Sequence, residues 1–231
     1  MNTPSGTLES EIALKNNTLV GAFFANVYKW MTIAMVITGA VAWFTAQWKY
    51  FGLLVEQYPL LILGMFGAEL LLVWIISGRA QKLSAGVAIG LFMLYSALSG
   101  LTLSMIFVYY PIADIFKAFV AAGGMFAGMS LFGYTTKRDL SGWGSFLFMA
   151  LIGLIVASVV NLWIANDMME WMINYGGVVI FAGLAAYDHQ KLKAYALAGH
   201  NSTGIAVRGA LELYLDFINL FLFLLRLFNR R

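Results

Sequence analysis

Cysteine is absent from these 231 residues, histidine occurs only at His189 and His200, and proline occurs three times. The first lack excludes disulfides and thiol chemistry, and two imidazoles leave no set for a Cys/His metal site. Charge is scarce too. Asp, Glu, Lys and Arg make up 11% of the chain and the formal net charge is +3, too little for the basic face that nucleic acid requires. Pro4 falls in the N-terminal segment, and Pro59 and Pro111 lie in or beside loops. No apolar segment therefore carries a proline kink.

What is present is hydrophobic. Apolar residues make up 61% of the chain, the mean hydropathy is +0.82, and the stretch from 27 to 228 is almost continuously apolar. That is a polytopic membrane protein. Segments of roughly 20 residues satisfy their own backbone in lipid only as helices, whereas a β-barrel would show short alternating strands. The expected organisation is a polar N-terminal tail over 1–26, one all-α membrane domain over 27–228, and a basic end at 229–231. The tail lacks the basic start and short apolar core of a cleaved signal and is expected to stay attached as a flexible segment. Six spans are expected, over 27–46, 60–77, 86–108, 115–134, 143–164 and 173–187, followed by a seventh apolar helix over 209–228.

Trp30, Trp43, Trp48, Trp143, Trp163 and Trp171 fall near these span ends, as an aromatic belt requires. Arg79 and Lys82, then Lys137 and Arg138, then Lys191, Lys193 and Arg208 follow the second, fourth and sixth spans. Those loops and the N-terminus are expected in the cytoplasm. The last helix breaks the pattern, because a full crossing carries Arg230 and Arg231 to the far side. That conflict points to a helix buried in protein. Gly86 with Gly90 and Gly124 with Gly128 give small-xxx-small faces for close helix packing.

The ionisable residues at membrane depth are candidates for function. Glu212 and Asp216 are four apart and share a face of the last helix. Asp216 lies about two turns into that helix, roughly 10 Å, too deep for a short side chain to reach water. It needs a partner. Asp188 ends the sixth span, and the polar loop expected after it lets the two helices lie antiparallel, so a carboxylate pair is geometrically open. Two such carboxyls in a poorly solvated site cannot both ionise cheaply and tend to share a proton. The plainer reading has Asp188 at the water boundary beside Lys191 and Asp216 bonded to a neighbouring backbone or hydroxyl group. Glu69, in the middle of the second span, either lines a pathway or binds a polar partner. Arg79 either pairs with an aspartate or anchors in headgroups. His189 reads as a solvated loop residue, and Asn161 as a helix–helix hydrogen bond. Asp139 or Ser141 is positioned to cap the fifth helix.

The segments QKLSAG (Gln81 to Gly86), LFMLYSALSGLTLSMIF (Leu91 to Phe107), GYTTKRDLSGWG (Gly133 to Gly144), AYDHQKLK (Ala186 to Lys193) and ALELYLDFINLFLFLLRLF (Ala210 to Phe228) resemble the Bax inhibitor-1 family of membrane proteins. The likeness is to its bacterial inner-membrane branch. It implies seven helices, two three-helix layers around a central C-terminal helix, and a pH-sensitive calcium leak rather than an enzyme. The likeness makes Asp188 and Asp216 the proton-sensing dyad, with transient calcium there and no resident cofactor. It also makes Arg79 the latch, one position out of register, and places Glu69 and Glu212 as pathway carboxylates. Glu212 stands where many bacterial relatives carry a small polar residue. Two rivals stay open: a non-transporting scaffold for a membrane partner such as a quality-control protease, and an intramembrane aspartyl protease. The second is disfavoured because Leu215 precedes Asp216 and no proline follows Pro111.

Overall fold

The structure is a computed structural model that describes residues 5–79 and 82–229. Among these residues there are nine helical segments and no strand. They are α1 (Ser5–Gln47), α2 (Lys49–Gln57), α3 (Pro59–Arg79), α4 (Ala85–Leu103), α5 (Met105–Tyr109), α6 (Ile112–Thr135), α7 (Ser141–Ile164), α8 (Asp167–Leu197) and α9 (Thr203–Phe228). Ser104 alone separates α4 from α5, and both its amide and its hydroxyl bond the Leu101 carbonyl. Counted as one span, Ala85–Tyr109, the two make eight helices in all, and not the seven expected. The extra one is α2, a short amphipathic segment that buries Phe51 and exposes Tyr50, Leu53 and Leu54.

Two expectations about where helices start and stop fail for one reason. The segment read as a flexible tail belongs to α1, which starts at Ser5 and buries Val20, Phe23 and Phe24 against the core. The first nine residues of the segment read as a loop after Asp188 are the end of α8. Polar residues at a span end lower hydropathy without breaking a helix, provided the tertiary structure supplies partners. α8 ends only where Gly199 adopts φ +80, and the His200 amide closes on the Tyr195 carbonyl. Ser202 then caps α9, its hydroxyl accepting from the Ile205 amide at 3.4 Å. So short a turn makes α8 and α9 antiparallel neighbours. Pro4, Gln81, Arg230 and Arg231 lie outside the described residues.

Among the described residues six helices are long and apolar enough to cross a membrane, and α9 is not one of them. It is nevertheless unbroken over 26 residues, about 39 Å at 1.5 Å per residue, so it does not turn back on itself. It packs against α8, α6, α1 and α4, with a smaller contact to α3. α4 contacts α1 and α3, while α8 contacts α6 and α7. α9 thus touches both groups, and its Leu211, Leu213, Tyr214 and Leu220 are fully enclosed.

The close helix approaches fall at glycines other than those singled out from spacing. A Cβ on Gly86, Gly90, Gly124 or Gly128 would meet nothing within 4 Å. On Gly133 it would strike the Ala186 carbonyl of α8, and on Gly100 the Thr38 carbonyl of α1 at 2.8 Å. These are backbone atoms that cannot rotate away.

Candidate functional site

Because α8 continues past Asp188, one turn of it carries Asp188 and Lys191 on the same face. The facing turns of α9 carry Arg208, Glu212 and Asp216 at successive four-residue steps. Lys191 bridges the helices, its Nζ donating to Asp188 Oδ1 at 3.0 Å and to Glu212 Oε2 at 2.9 Å. Arg208 Nε donates to Glu212 Oε1 at 3.0 Å. Behind this bridge the side chains of Asp188 and Asp216 lie close enough to interact. Asp216 is 4% exposed and Asp188 9%, and Asp216 Oδ2 receives no N–H or O–H among the described residues. Such an oxygen next to a second carboxyl is satisfied when a proton lies between them. The cluster holds three carboxyls and two cations, so one shared proton also makes it neutral.

His189 is not a solvated loop residue. It is 1% exposed, with Nδ1 2.6 Å from the Ala185 carbonyl and Nε2 2.7 Å from the Tyr28 hydroxyl. Its ring stacks on Phe24 at an interplanar angle of 9°. The longer α8 explains this, since His189 then faces α1 and α6 while Asp188 faces α9.

The remaining candidates lie apart from the cluster. Glu69 is buried in α3, and its Oε1 accepts from Thr102 Oγ1 of α4 at 2.9 Å. Nearby, Thr38 Oγ1 donates to the Ser96 carbonyl at 2.9 Å and accepts from the Tyr214 hydroxyl at 2.8 Å. That chain of hydroxyls ties α1, α4 and α9 together. Arg79 is exposed, its guanidinium 6.0 Å from the Trp74 ring, and it does not join Asp188 and Asp216 in this conformation. Asn161 serves a turn and not a helix contact, its Oδ1 accepting from the Asn166 amide at 3.0 Å. Asp139 Oδ1 accepts from the Ser141 amide at 2.9 Å. That amide and the Ser141 hydroxyl hold the Asp139 carboxyl below its ordinary value.

Arg208 is the member of the cluster that reading the sequence missed, as a topology charge in a loop, and Lys191 was placed beside Asp188 only in the plainer reading, without its bridge to Glu212. Their spacing was nevertheless available, Asp188 to Lys191 at three residues and Arg208 to Glu212 at four. Among the described residues no three His, Cys, Asp or Glu side chains are grouped to hold a metal ion.

Fold and site together define a polytopic α-helical membrane protein with buried carboxyls on α3, α8 and its most enclosed helix, α9. Residues 20–231 match the family described as inhibitor of apoptosis-promoting Bax1, and the chain belongs to this Bax inhibitor family. The inner membrane protein YbhL of Escherichia coli is 50% identical over 214 residues, which cover 90% of this chain and 92% of that protein. A Deinococcus radiodurans protein is 43% identical over 215 residues, covering 92% of each chain. One from Borreliella burgdorferi is 40% identical over 227 residues, covering 96% of each. With six helices of spanning length and character, this is an integral protein of the bacterial inner membrane.

Proposed function

We propose that the protein is a pH-sensitive calcium leak in which one proton shared by Asp188 and Asp216 sets the gate. The observation that carries this reading is a buried Asp216 oxygen that receives no donor, on a side chain that neighbours a second carboxyl. A proton there is exchangeable with the cytoplasmic side, because Lys191 and Glu212 lead from the pair to the more accessible end of α8 and α9. Loss of that proton leaves like charges together and changes what Lys191 must balance. Calcium is the permeant ion because hard cations accept carboxylate and carbonyl oxygens, and Asp188 and Asp216 hold it only in passing.

On this reading the conformation described is the closed state. Beyond Asp216, Phe119 packs edge-on against Phe217 and Phe221, with ring centroids 5.4 and 6.2 Å apart. The apolar cavity beside them is about 130 Å³. In this state Lys191, and not Arg79, holds the charge of the pair. The Arg79 latch belongs to another conformation of the cycle, reached as the helix layers either side of α9 shift. Glu69 and Glu212 attract cations toward the path.

Calcium entry into dye-loaded proteoliposomes from about pH 5 to pH 8 tests this. The wild type leaks with a pH-dependent rate, and Asp188→Asn and Asp216→Asn each flatten or displace that profile. If wild-type and empty vesicles leak alike at every pH, the channel reading fails and capture of a membrane partner takes its place.

A further inference from the structure

α6 and α7 both pack on α8 but not on each other, which leaves a cleft between them that opens to the membrane. Phe132 and Met129 of α6 form one wall, Trp143 and Leu147 of α7 the other, and Ala182 and Gly183 of α8 the floor. The cleft is about 570 Å³. Along α8 it runs from Val178 to Tyr187, about 14 Å at 1.5 Å per residue. One leaflet's share of a hydrocarbon core about 30 Å thick is about 15 Å, so the cleft is one acyl chain deep.

Its mouth is not apolar. At the Arg138, Asp139 and Tyr187 end it joins a polar cavity of about 410 Å³ that Lys137, Ser141, Gln190 and Lys191 also line. Lys191 is engaged with Asp188 and Glu212. Lys137 and Arg138 are exposed, and among the described residues neither is in an ion pair. Asp139 is the one carboxylate at the mouth, and it is turned to the Ser141 amide. The first turn of α7 adds the positive end of its helix dipole at the same place. Trp143, in the first turn of α7, is exposed, as suits an amphipathic indole at a headgroup layer.

We propose that this cleft seats one anionic phospholipid of the cytoplasmic leaflet, with an acyl chain along α8 and the phosphate over Lys137 and Arg138. A zwitterionic lipid fills the apolar part equally well, so the preference for negative charge resides in the mouth. The site meets the Asp188 and Asp216 cluster only through Lys191 and does not depend on the channel reading.

Native mass spectrometry of the full-length protein tests it, with phosphatidylglycerol and phosphatidylcholine titrated in competition. The wild type should retain phosphatidylglycerol over phosphatidylcholine by about tenfold, about 1.4 kcal/mol of preference. Lys137→Gln with Arg138→Gln should reduce that ratio to near one. Asp139→Asn, which removes the opposing charge, should raise it. Millimolar inorganic phosphate should leave the bound lipid in place. Equal retention of the two lipids by the wild type overturns the proposal. So does an unchanged ratio in the double variant, a ratio that falls in Asp139→Asn, or displacement by phosphate, which would mark a simple anion site.

Discussion

α7 and α9 have nearly equal lengths, 24 and 26 residues, and opposite surroundings. α7 is the most apolar of the spans, yet of its residues only Gly144, Leu147 and Leu154 are buried. α9 carries Arg208, Glu212, Asp216 and Asn219 and buries most of its length. In water the more polar helix would be the outer one. In a bilayer the lipid takes any apolar surface, so interior positions go to the helix whose polar groups need partners. The charged residues of α9 are therefore what place it at the centre, and what leave Asp216 without water.

The contrast has measurable consequences, the largest in side-chain packing. Leu213 is fully enclosed in α9 and Leu162 of α7 is 80% exposed. Leu213→Ala should cost about 2–5 kcal/mol and Leu162→Ala about 0.5 kcal/mol or less, read as thermal unfolding midpoints in one detergent. Equal losses would mean α7 is as enclosed as α9.

The ion pairs should divide in the same way with smaller effects. Lys191 ties α8 to α9 across a partly buried bridge, whereas Lys117 meets Asp114 at 3.1 Å on the surface. Lys191→Gln should lower stability by about 1–3 kcal/mol, and Lys117→Gln by about 0.5 kcal/mol or less, shrinking further as salt is added. Comparable losses, both screened by salt, would place Lys191 in bulk water.

The smallest effect belongs to Asp139 at the start of α7. Its folded-state carboxyl is held below the unfolded value, so the stability it contributes is present above about pH 4, the unfolded value. That contribution is lost as pH falls through the lower, folded value. The midpoint of Asp139→Asn should sit slightly below the wild type at pH 7, and the two should converge in acid. A gap that widens in acid contradicts a stabilising Asp139–Ser141 bond.

The spans themselves could be read from hydropathy because lipid imposes length and helicity on every one of them. Asp188, Asp216 and Glu212 stood out because charge at that depth needs a reason. The end of α8 was hidden, since Asp188, His189, Gln190, Lys191 and Lys193 look like a loop until α1, α6 and α9 supply their partners. Stopping the helix at Tyr187 turned Lys191 into a topology charge and His189 into a solvated one. The glycines show the same limit. Gly124 and Gly128 satisfy the small-xxx-small pattern while Gly133, four residues from Met129 and Lys137, does not, and only the path of α8 past Ala186 picks out Gly133.

The central claim is that Asp188 and Asp216 act as one proton-sharing unit, and a double-mutant comparison tests it most directly. Calcium flux across the pH range would be measured for Asp188→Asn, Asp216→Asn and the two together. For a unit the second substitution adds almost nothing, and all three variants share one altered profile. Two separate displacements that sum in the double variant would show that each aspartate titrates alone, and the shared-proton gate would be wrong.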